Sequence, residues 1–349
     1  MTTTPSLVAE SAGAPFVQKQ MEQRELRDDD VRLDIAYAGI CHSDIHQVRE
    51  EWGSAIFPMV PGHEIAGTVA EVGPGVTRVK VGDRVGVGCM VDSCGECEFC
   101  KDGYEQHCTR GAVMTYNGTG YDGEPTRGGY AQSVVVSERF TCAIPEGIGL
   151  DEAAPLLCAG ITTYSPLRRW GVKAGDKVAV VGMGGLGHMA VKIAAAMGAD
   201  VTVLSRSTAK AEDSVAMGAV RHLSTTDADA MKSMRGSLDF ILNTVSADVD
   251  LMDLLKLLKP RGVVVNVGLP PSRYQISPGM LVGTSKVVAG SNIGGIPETQ
   301  EMLEFCAEHG IGATIETISA EEVTEAYDRV VNGDVRYRYV IDVSTINAD

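Results

Sequence analysis

Two different patterns of apolar residues divide the chain. From about residue 28 to 145, short runs rich in Val and Gly alternate with turn sequences such as PG, GPG and DG, which is typical of an irregular all-β unit. The strand-like runs are VRLDIAYAGI, IAGTVAEVG, DRVGVGCMV and YAQSVVVSE. The pattern changes near Asp151, so we expect a second unit of another class to begin there.

The second unit alternates buried strands with helices. DEAAPLLCAGITTYSPLRRW, with acidic residues at its start, is predicted as one helix. The strands that follow are KVAVVG, VTVLS, SLDFILNTV, GVVVNVG and KVVAGSNIG, and the helices are LGHMAVKIAAAMGA, AKAEDSVAMGA and DLMDLLKLLK. This alternation predicts a parallel, doubly wound sheet. After Pro297, ETQEMLEFCAEHG predicts a helix and YRYVIDV a last strand.

Composition limits the possible classes of protein. A chain of 349 residues exceeds one typical hydrophobic core, so we expect two domains. The net charge of −16 argues against nucleic acids and anionic membranes as partners, and no apolar run is long enough to cross a bilayer. The N-terminal sequence lacks the charged and apolar regions of a signal peptide. Together with nine cysteines, this leads us to expect a reducing compartment, the cytoplasm.

Four cysteines form a dense cluster, Cys94, Cys97, Cys100 and Cys108, with the spacing C-x2-C-x2-C-x7-C. Thiolates this close repel one another unless a cation joins them, and the spacing suits a closed, structural zinc site with four sulfur ligands. Two disulfides are the alternative, which the expected compartment disfavours.

A second, incomplete set of metal ligands is more widely spaced. Cys41, His63 and Cys158 would give a Cys2His set with an open fourth position, which is the pattern of a catalytic zinc. The long gaps cannot prove this. Taken singly, Cys158 is as well explained as a small buried apolar residue and His63 as a core histidine.

A glycine motif directly follows the KVAVV strand and precedes a helix. Gly182, Gly184 and Gly187 form G-x-G-x-x-G, and Gly185 and Leu186 lie within it. In this context the motif predicts a dinucleotide site, because glycines let backbone amides and a helix N-terminus approach a pyrophosphate.

The end of the next strand indicates which dinucleotide binds. An NAD site normally has an acidic residue there, but this chain has Ser205 and Arg206, with Lys210 following. A hydroxyl and two cations suit a 2′-phosphate, so we predict NADP(H). The alternative is that Arg206 and Lys210 form a solvated helix start.

Taken together, these motifs resemble the zinc-containing medium-chain alcohol dehydrogenases, most closely the cinnamyl-alcohol-dehydrogenase-like branch. The segments that carry the resemblance are GICHSDIHQVREEWG, PMVPGHEIAGTVAEVGPGVT, GDRVGVGCMVDSCGECEFC, YNGTGYDGEPTRGGYA, PLLCAGITTYSPL, VGMGGLGHMAVKIAAAMGADVTVLS and GSNIGGIPETQEMLEFC. It covers about residues 28 to 343, and the G-H-E-x2-G-x5-G stretch and the four-cysteine lobe are its most specific parts.

The resemblance implies an α/β fold of two domains. Residues 1–157 and 297–349 would form a GroES-like, β-rich catalytic domain, and residues 158–296 a doubly wound Rossmann domain. It also implies two Zn²⁺ ions per chain, a catalytic one on Cys41, His63 and Cys158 and a structural one on the four-cysteine cluster.

The resemblance also implies roles around the catalytic zinc. Asp44 would hydrogen-bond the metal-binding histidine, and Glu64 would lie just behind the metal, with transient coordination left open. Ser43 would pass the substrate proton, and His46 would release it at the solvent end of the relay. For His46, a surface histidine without a role is the alternative.

Further residues match cofactor and substrate positions of that family. Thr162 would face the nicotinamide, and His42 corresponds to a position that can contact the pyrophosphate. The remaining cofactor positions are Thr244, Gly268, Ser291, Asn292 and Ile293. Trp52, Cys89 and Met114 would line the substrate pocket. Large aromatic residues common in plant lignin-forming relatives are missing at Met114 and Asn292.

The function expected from these features is hydride transfer between NADP(H) and primary alcohols or aldehydes, with a broad range of aromatic and medium aliphatic aldehydes. A zinc-free type of quinone or enone reductase is one alternative, although it has no use for the two ligand sets. A non-catalytic sensor that binds zinc and NADPH is the other. We expect a homodimer with no nucleic-acid or membrane partner.

Overall fold

The computed structural model describes residues 2–347 and separates into two compact units. The first unit comprises the described residues up to Cys158 together with those from Gly294 onward, and the second comprises Ala159–Ile293. Within this part of the chain, no helix has both the length and the apolar character needed to span a membrane.

The strands and helices follow one another along residues 2–347 as listed here in chain order. The strands are β1 (Thr2–Val8), β2 (Val17–Gln23), β3 (Asp30–Gly39), β4 (Ile65–Val72), β5 (Arg84–Val87), β6 (Met90–Asp92), β7 (Val113–Met114), β8 (Ser133–Ser137), β9 (Cys142–Ala143), β10 (Lys177–Val181), β11 (Asp200–Ser205), β12 (Arg221–Ser224), β13 (Leu238–Asn243), β14 (Leu258–Asn266), β15 (Val287–Gly290), β16 (Ile315–Ile318) and β17 (Arg338–Asp342). The helices are α1 (His42–Val48), α2 (Glu98–Lys101), α3 (Leu150–Ala153), α4 (Ala159–Arg169), α5 (Gly185–Ala196), α6 (Ala211–Ala216), α7 (Ala228–Ser233), α8 (Leu251–Leu257), α9 (Pro278–Val282), α10 (Ile296–Glu308) and α11 (Val323–Asn332).

The first unit is built on a seven-stranded sheet. Its strand order is β16-β17-β3-β4-β5-β9, with β8 also paired to β3. In β3, Val31, Leu33 and Ile35 are buried at every second position, as expected for a strand with one face on the core. Two of the predicted metal ligands flank these strands: Cys41 lies just after the end of β3, and His63 lies just before the start of β4.

The predicted strand DRVGVGCMV is interrupted in the structure. It forms β5 and β6, with Gly88 and Cys89 between them. A Cβ atom on Gly88 would lie 2.8 Å from the carbonyl oxygen of Leu157, so the backbone approaches the Leu157 segment too closely for a side chain. This close approach brings Cys89 next to the segment that carries Cys158.

The second unit contains a six-stranded sheet of order β12-β11-β10-β13-β14-β15. All of its neighbouring strands are parallel. Val178, Val180, Val201 and Val203 are fully buried, as expected for strands covered on both faces. The predicted parallel, doubly wound α/β architecture is therefore confirmed.

The single helix predicted over residues 151–170 is wrong. The segment forms α3, a 3-10 turn over Ala154–Leu157, an irregular residue at Cys158 (φ −127°, ψ −66°) and then α4. Pro155 lacks an amide proton, so it cannot donate the backbone hydrogen bond that a continuous α-helix would need at this position. The interruption leaves the buried Cys158 at the junction rather than inside a helix.

A buried ion pair near the start of β3 gives a test of how the first unit is stabilised. Asp30 is only 1% exposed and accepts hydrogen bonds from the guanidinium of Arg24 and from the backbone N–H of Arg27, at 2.8 Å from the latter. Burial alone raises the pKa of Asp30, but these hydrogen bonds outweigh burial and hold the pKa below its usual range.

We predict that Asp30→Asn lowers the free energy of unfolding by about 2 kcal/mol at pH 7, because Arg24 loses its charged partner. Since the folded pKa is depressed, this contribution is complete above the unfolded pKa of about 3.9 and is lost as the pH falls through the folded value. Thermal unfolding from pH 8 to pH 3 should show a constant deficit that narrows below about pH 4. Asp122→Asn, which removes the more exposed pair with Arg27, is the control and should cost under about 1 kcal/mol. If Asp30→Asn and Asp122→Asn lowered the free energy of unfolding by the same amount, the prediction would be contradicted.

Candidate metal centres and dinucleotide site

Four buried side chains from three distant segments converge in the first unit. Cys41, His63, Glu64 and Cys158 each offer a ligand atom, and these atoms all lie within 4.8 Å of one another. The Nε2 atom of His63 is 3.3 Å from the sulfur of Cys158, and the sulfurs of Cys41 and Cys158 are 4.0 Å apart. The structure therefore brings together the three widely spaced residues that the sequence suggested as one ligand set.

Asp44 sets the orientation of this group. Its carboxylate is completely buried and accepts hydrogen bonds from the backbone N–H of Cys41 at 2.9 Å and of Gly62 at 3.2 Å. The Nδ1 atom of His63 lies 3.0 Å from the same carboxylate and therefore carries a proton. In the neutral ring, the lone pair of Nε2 then faces the Cys158 sulfur, which is the tautomer that a metal ligand requires.

Charge around the group favours a bound cation. Burial opposes protonation of His63, but the charges of Asp44 and Cys89 raise its pKa well above the usual value. The hydrogen bond between the two thiols lowers the pKa of Cys41 well below its usual range and raises that of Cys158. A divalent cation shared by both sulfurs would stabilise the thiolate of each. This buried set of two sulfurs and one imidazole nitrogen fits zinc.

Glu64 forms a buried ion pair with Arg338 of β17. One oxygen of Glu64, Oε2, has no hydrogen-bond partner, and neither does Nε of Arg338. Burial raises the pKa of Glu64 to about 7, and the charge of Arg338 opposes this rise. Glu64 thus lies beside the ligand set with one oxygen uncommitted, as expected of a residue behind the metal.

Several polar residues lie on and just after α1, the helix that begins directly after Cys41. The Ser43 hydroxyl is 3.6 Å from the Cys41 sulfur. His46 stacks on Trp52 with 4.7 Å between ring centroids, and its Nδ1 is 2.5 Å from a carboxylate oxygen of Glu51. The ring of His42 lies 5.9 Å from that of His46.

The four-cysteine cluster forms a separate group in the first unit. The ligand sulfurs of Cys94, Cys97, Cys100 and Cys108 lie within 4.8 Å of one another, and all nine cysteines of the chain are free thiols. Amide N–H groups point at two sulfurs, that of Cys97 at Cys94 and that of Cys94 at Cys108, each at 3.4 Å. The short helix α2 inside this lobe buries no residue, so the lobe has little core of its own. The group fits a structural zinc, and the disulfide alternative does not match the structure.

The glycine motif of the second unit joins β10 to α5. Gly182 has φ +96°, and a Cβ atom on Gly187 would collide with the Gly182 carbonyl oxygen. Nothing lies within 4 Å of a Cβ placed on Gly184, the residue that precedes α5. The first and third glycines are therefore needed for chain geometry, and the second leaves open space at a helix N-terminus, as a dinucleotide loop requires.

The residues predicted to select the cofactor lie at the end of β11. Ser205 is the last residue of that strand, Arg206 is exposed, and Lys210 immediately precedes α6. The Lys210 ammonium donates to the carbonyl of Met183 in the glycine loop, at 3.2 Å. The structure thus connects the predicted 2′-phosphate segment to the predicted pyrophosphate loop.

The other predicted cofactor residues are divided between the units. Thr162 is buried in α4, and Thr244 donates to the carbonyl of Val181 at 2.7 Å. A Cβ atom on Gly268 would collide with the carbonyl oxygen of Val245. Ser291, Asn292 and Ile293 follow β15, and Ile293 has φ +37°. His42 belongs to the first unit and not to this group.

The predicted substrate residues all belong to the first unit. Cys89 is buried, its thiol donates to the carbonyl of Leu157 at 3.9 Å, and the neighbouring Cys158 thiol lowers the pKa of Cys89. Trp52 and Met114 are each 46% exposed. Only Cys89 is therefore packed against the ligand set, whereas the other two present apolar surface.

Sequence reasoning missed three residues that contact this region. Glu51 contacts His46, Arg338 pairs with Glu64, and Tyr116 stacks on His63 with 5.9 Å between ring centroids. Burial and the charge of Asp44 raise the pKa of Tyr116 above its usual value. Glu51 follows His46 by five residues and could have been noticed, but no local pattern links Arg338 or Tyr116 to the ligands.

Comparison with known proteins identifies the class that this fold and these groups define. Residues 27–146 match the alcohol dehydrogenase GroES-like domain, and residues 185–344 match the zinc-binding dehydrogenase model. The chain belongs to the zinc-containing medium-chain alcohol dehydrogenase family, in its cinnamyl-alcohol-dehydrogenase-like branch. The family and the fold class predicted from the sequence are therefore confirmed.

Individual relatives are similar over nearly their whole length. The chain is 54% identical over 343 residues to a probable formaldehyde dehydrogenase of Bacillus subtilis (strain 168), covering 98% of each. It is 54% identical over 349 residues to NADP-dependent alcohol dehydrogenase C 1 of Mycolicibacterium smegmatis, covering 100% of each. Among solved structures, a cinnamyl alcohol dehydrogenase of Sorghum bicolor superposes with a TM-score of 0.96 at 42% identity, covering 100% of this chain and 99% of that one.

We predict that the purified protein contains two zinc ions per chain, measured by elemental analysis. Cys158→Ala should reduce the content to one, because the remaining ligands no longer hold the ion tightly. Cys142→Ala is the matched control, since Cys142 is a buried cysteine outside both groups. Two zinc ions per chain in Cys158→Ala, or only one in Cys142→Ala, would contradict the assignment of Cys158 as a zinc ligand.

Proposed function

We propose that the protein is an NADP(H)-dependent, zinc-dependent alcohol dehydrogenase and aldehyde reductase, which transfers a hydride between the cofactor and primary alcohols or aldehydes. The observation that carries the proposal is the convergence of Cys41, His63 and Cys158 in a buried group whose histidine is oriented by Asp44. A set of three protein ligands leaves a position for substrate, as catalytic zinc sites do.

We propose that these three residues hold the catalytic zinc, and that Asp44 is the residue that orients its histidine. Zinc bound there supplies Lewis acidity, which polarises a carbonyl or makes an alcohol more acidic. Glu64, paired with Arg338, adjusts the local charge next to the metal. The four-cysteine cluster holds the second, structural zinc and stabilises a lobe that buries little apolar surface.

Ser43 and His46 are proposed to move the proton. Ser43 lies next to a ligand sulfur, so its hydroxyl can reach an oxygen that reacts at the metal group. His46 is held by Glu51 on one ring nitrogen and by Trp52 on its face. Since Nδ1 is engaged by a carboxylate, Nε2 is the nitrogen that remains to accept and release the proton.

NADP(H) is proposed as the cofactor because of the side chains at the end of β11. Ser205, Arg206 and Lys210 offer a hydroxyl and two cations where an NAD site would have a carboxylate. Arg binds phosphate through two parallel hydrogen bonds. The glycine motif, together with Thr162, Thr244, Gly268, Ser291, Asn292 and Ile293, would contact the rest of the cofactor, and His42 would contact its pyrophosphate.

The substrates are proposed to be a broad range of aromatic and medium aliphatic aldehydes and their alcohols. Trp52 and Met114 provide exposed apolar surface, and Cys89 lies beside the ligand set. The names of the relatives, which refer to formaldehyde and to cinnamyl alcohol, support aldehydes of differing size. A zinc-free quinone reductase would not need the buried ligand set.

We further infer that the protein is a cytoplasmic homodimer. The strand β15 lies at one edge of the six-stranded sheet, and Val287 on it is exposed, so this edge can pair with a second copy. The functional domains are proposed to be residues 1–157 with 297–349 and residues 158–296, whereas the compact units place Cys158 and the residues from Gly294 onward in the first unit.

The direct test is oxidation of NADPH with benzaldehyde, run beside NADH and after removal of zinc by a chelator. We expect turnover with NADPH at a kcat/KM at least about tenfold above that with NADH, and loss of turnover without zinc, which added zinc restores. Turnover that survives complete zinc removal would favour the quinone reductase. No turnover with any aldehyde of a panel would favour a non-catalytic sensor.

We predict that Ser43→Ala lowers kcat by about 10²-fold or more, because the proton then has no donor at the reacting oxygen. His46→Ala should lower kcat less, since water can replace a residue at the solvent end of the relay. Steady-state kinetics with zinc content checked for each variant provide the measurement. Unchanged kcat in Ser43→Ala would remove Ser43 from the mechanism.

A further inference from the structure

The segment from Ser205 to Lys210 contains the residues proposed to bind the 2′-phosphate, and the neighbouring strand β12 holds it in place. In the sheet, Ser205 of β11 is the register partner of Ser224 of β12. Residues 206–209, which follow β11, are exposed and belong to no helix or strand. Their backbone position therefore depends on contacts from outside the segment.

Two side chains of β12 bind consecutive carbonyl groups of this segment. The Nε2 atom of His222 is 3.0 Å from the carbonyl oxygen of Ser207, and the Ser224 hydroxyl donates to the carbonyl of Arg206 at 3.0 Å. A carbonyl oxygen can only accept, so Nε2 of His222 carries the proton. The backbone around Arg206 is thus held at two points, the carbonyl of Arg206 itself and the carbonyl of Ser207.

The imidazole of His222 is itself held on its other side. Its Nδ1 atom lies 3.0 Å from the hydroxyl of Ser214, a buried residue of α6 whose hydroxyl is also 2.8 Å from the carbonyl oxygen of Ala211. The residue that precedes α6 is Lys210. One partly buried ring therefore joins the backbone next to Arg206 to the helix that begins after Lys210.

We propose that His222 is a positioning residue for recognition of the 2′-phosphate, an inference that rests on the proposed NADP(H) specificity. His222 does not contact the phosphate; it keeps Arg206 and Lys210 in place before the cofactor binds. Ordering a surface segment at the moment of binding has an entropic cost, and prior ordering avoids it. The benefit falls on ligands that carry the 2′-phosphate, because only these place an anion next to both Arg206 and Lys210.

The experiment compares His222→Ala with wild type on the zinc-loaded protein. Calorimetry gives Kd for 2′,5′-ADP and for 5′-AMP, two probes that differ only in the 2′-phosphate, and kinetics give KM for NADPH and NADH. We expect about fivefold weaker binding of 2′,5′-ADP, a similar rise in KM for NADPH, and no change for 5′-AMP, KM for NADH or kcat. His222→Gln, whose amide can still donate to the Ser207 carbonyl, should recover part of the loss.

His309→Ala is the matched control, because His309, the residue that follows α10, also hydrogen-bonds a backbone carbonyl, that of Phe305. Both residues lie far along the chain from the segment Ser205 to Lys210. It should change neither probe. Equal weakening of 2′,5′-ADP and 5′-AMP in His222→Ala would indicate a general structural role and overturn the inference, as would no weakening at all. If wild type itself fails to distinguish the two probes, the proposed NADP(H) specificity is wrong, and the role of His222 falls with it.

Discussion

A single buried carboxylate, that of Asp44, joins the segments that form the metal-ligand group. It accepts hydrogen bonds from the amides of Cys41 and Gly62 and from the ring of His63, and so ties the start of α1 to the segment before β4. An unpaired charge at a fully buried position would be costly, so these donors and the aspartate depend on one another. The orientation of the ligand histidine follows from that mutual requirement.

A second buried charge connects the same region to the end of the chain. Glu64 follows His63 directly, and its partner Arg338 lies on β17, which pairs antiparallel with β3. The residues from Gly294 onward therefore do more than complete a sheet, because they supply the cation that faces the metal-ligand group. This explains physically why the first unit is assembled from both ends of the sequence.

The features that could be predicted from the sequence are those with a local signal. The four cysteines and the glycine loop have short, regular spacing, and the buried strands of the second unit have continuous apolar runs. Arg338 and Tyr116 could not be found in this way, because their contacts join residues far apart in sequence. The break at Cys158 was missed because the apolar pattern continues through Pro155, whereas the missing amide proton interrupts the helix. The Asp44 contact was expected only through resemblance to a family, and the functional roles of the site residues remain predictions.

The glycine at the end of β3 has a consequence for how this region can change. A Cβ atom on Gly39 would collide with the carboxylate of Glu64, which cannot move aside because it is enclosed and paired with Arg338. Even alanine at position 39 is therefore incompatible with an intact ion pair between Glu64 and Arg338, which are 274 residues apart in sequence. Positions 39, 64 and 338 are consequently coupled, so that the size of the side chain at position 39 limits which pair of residues can occupy the other two.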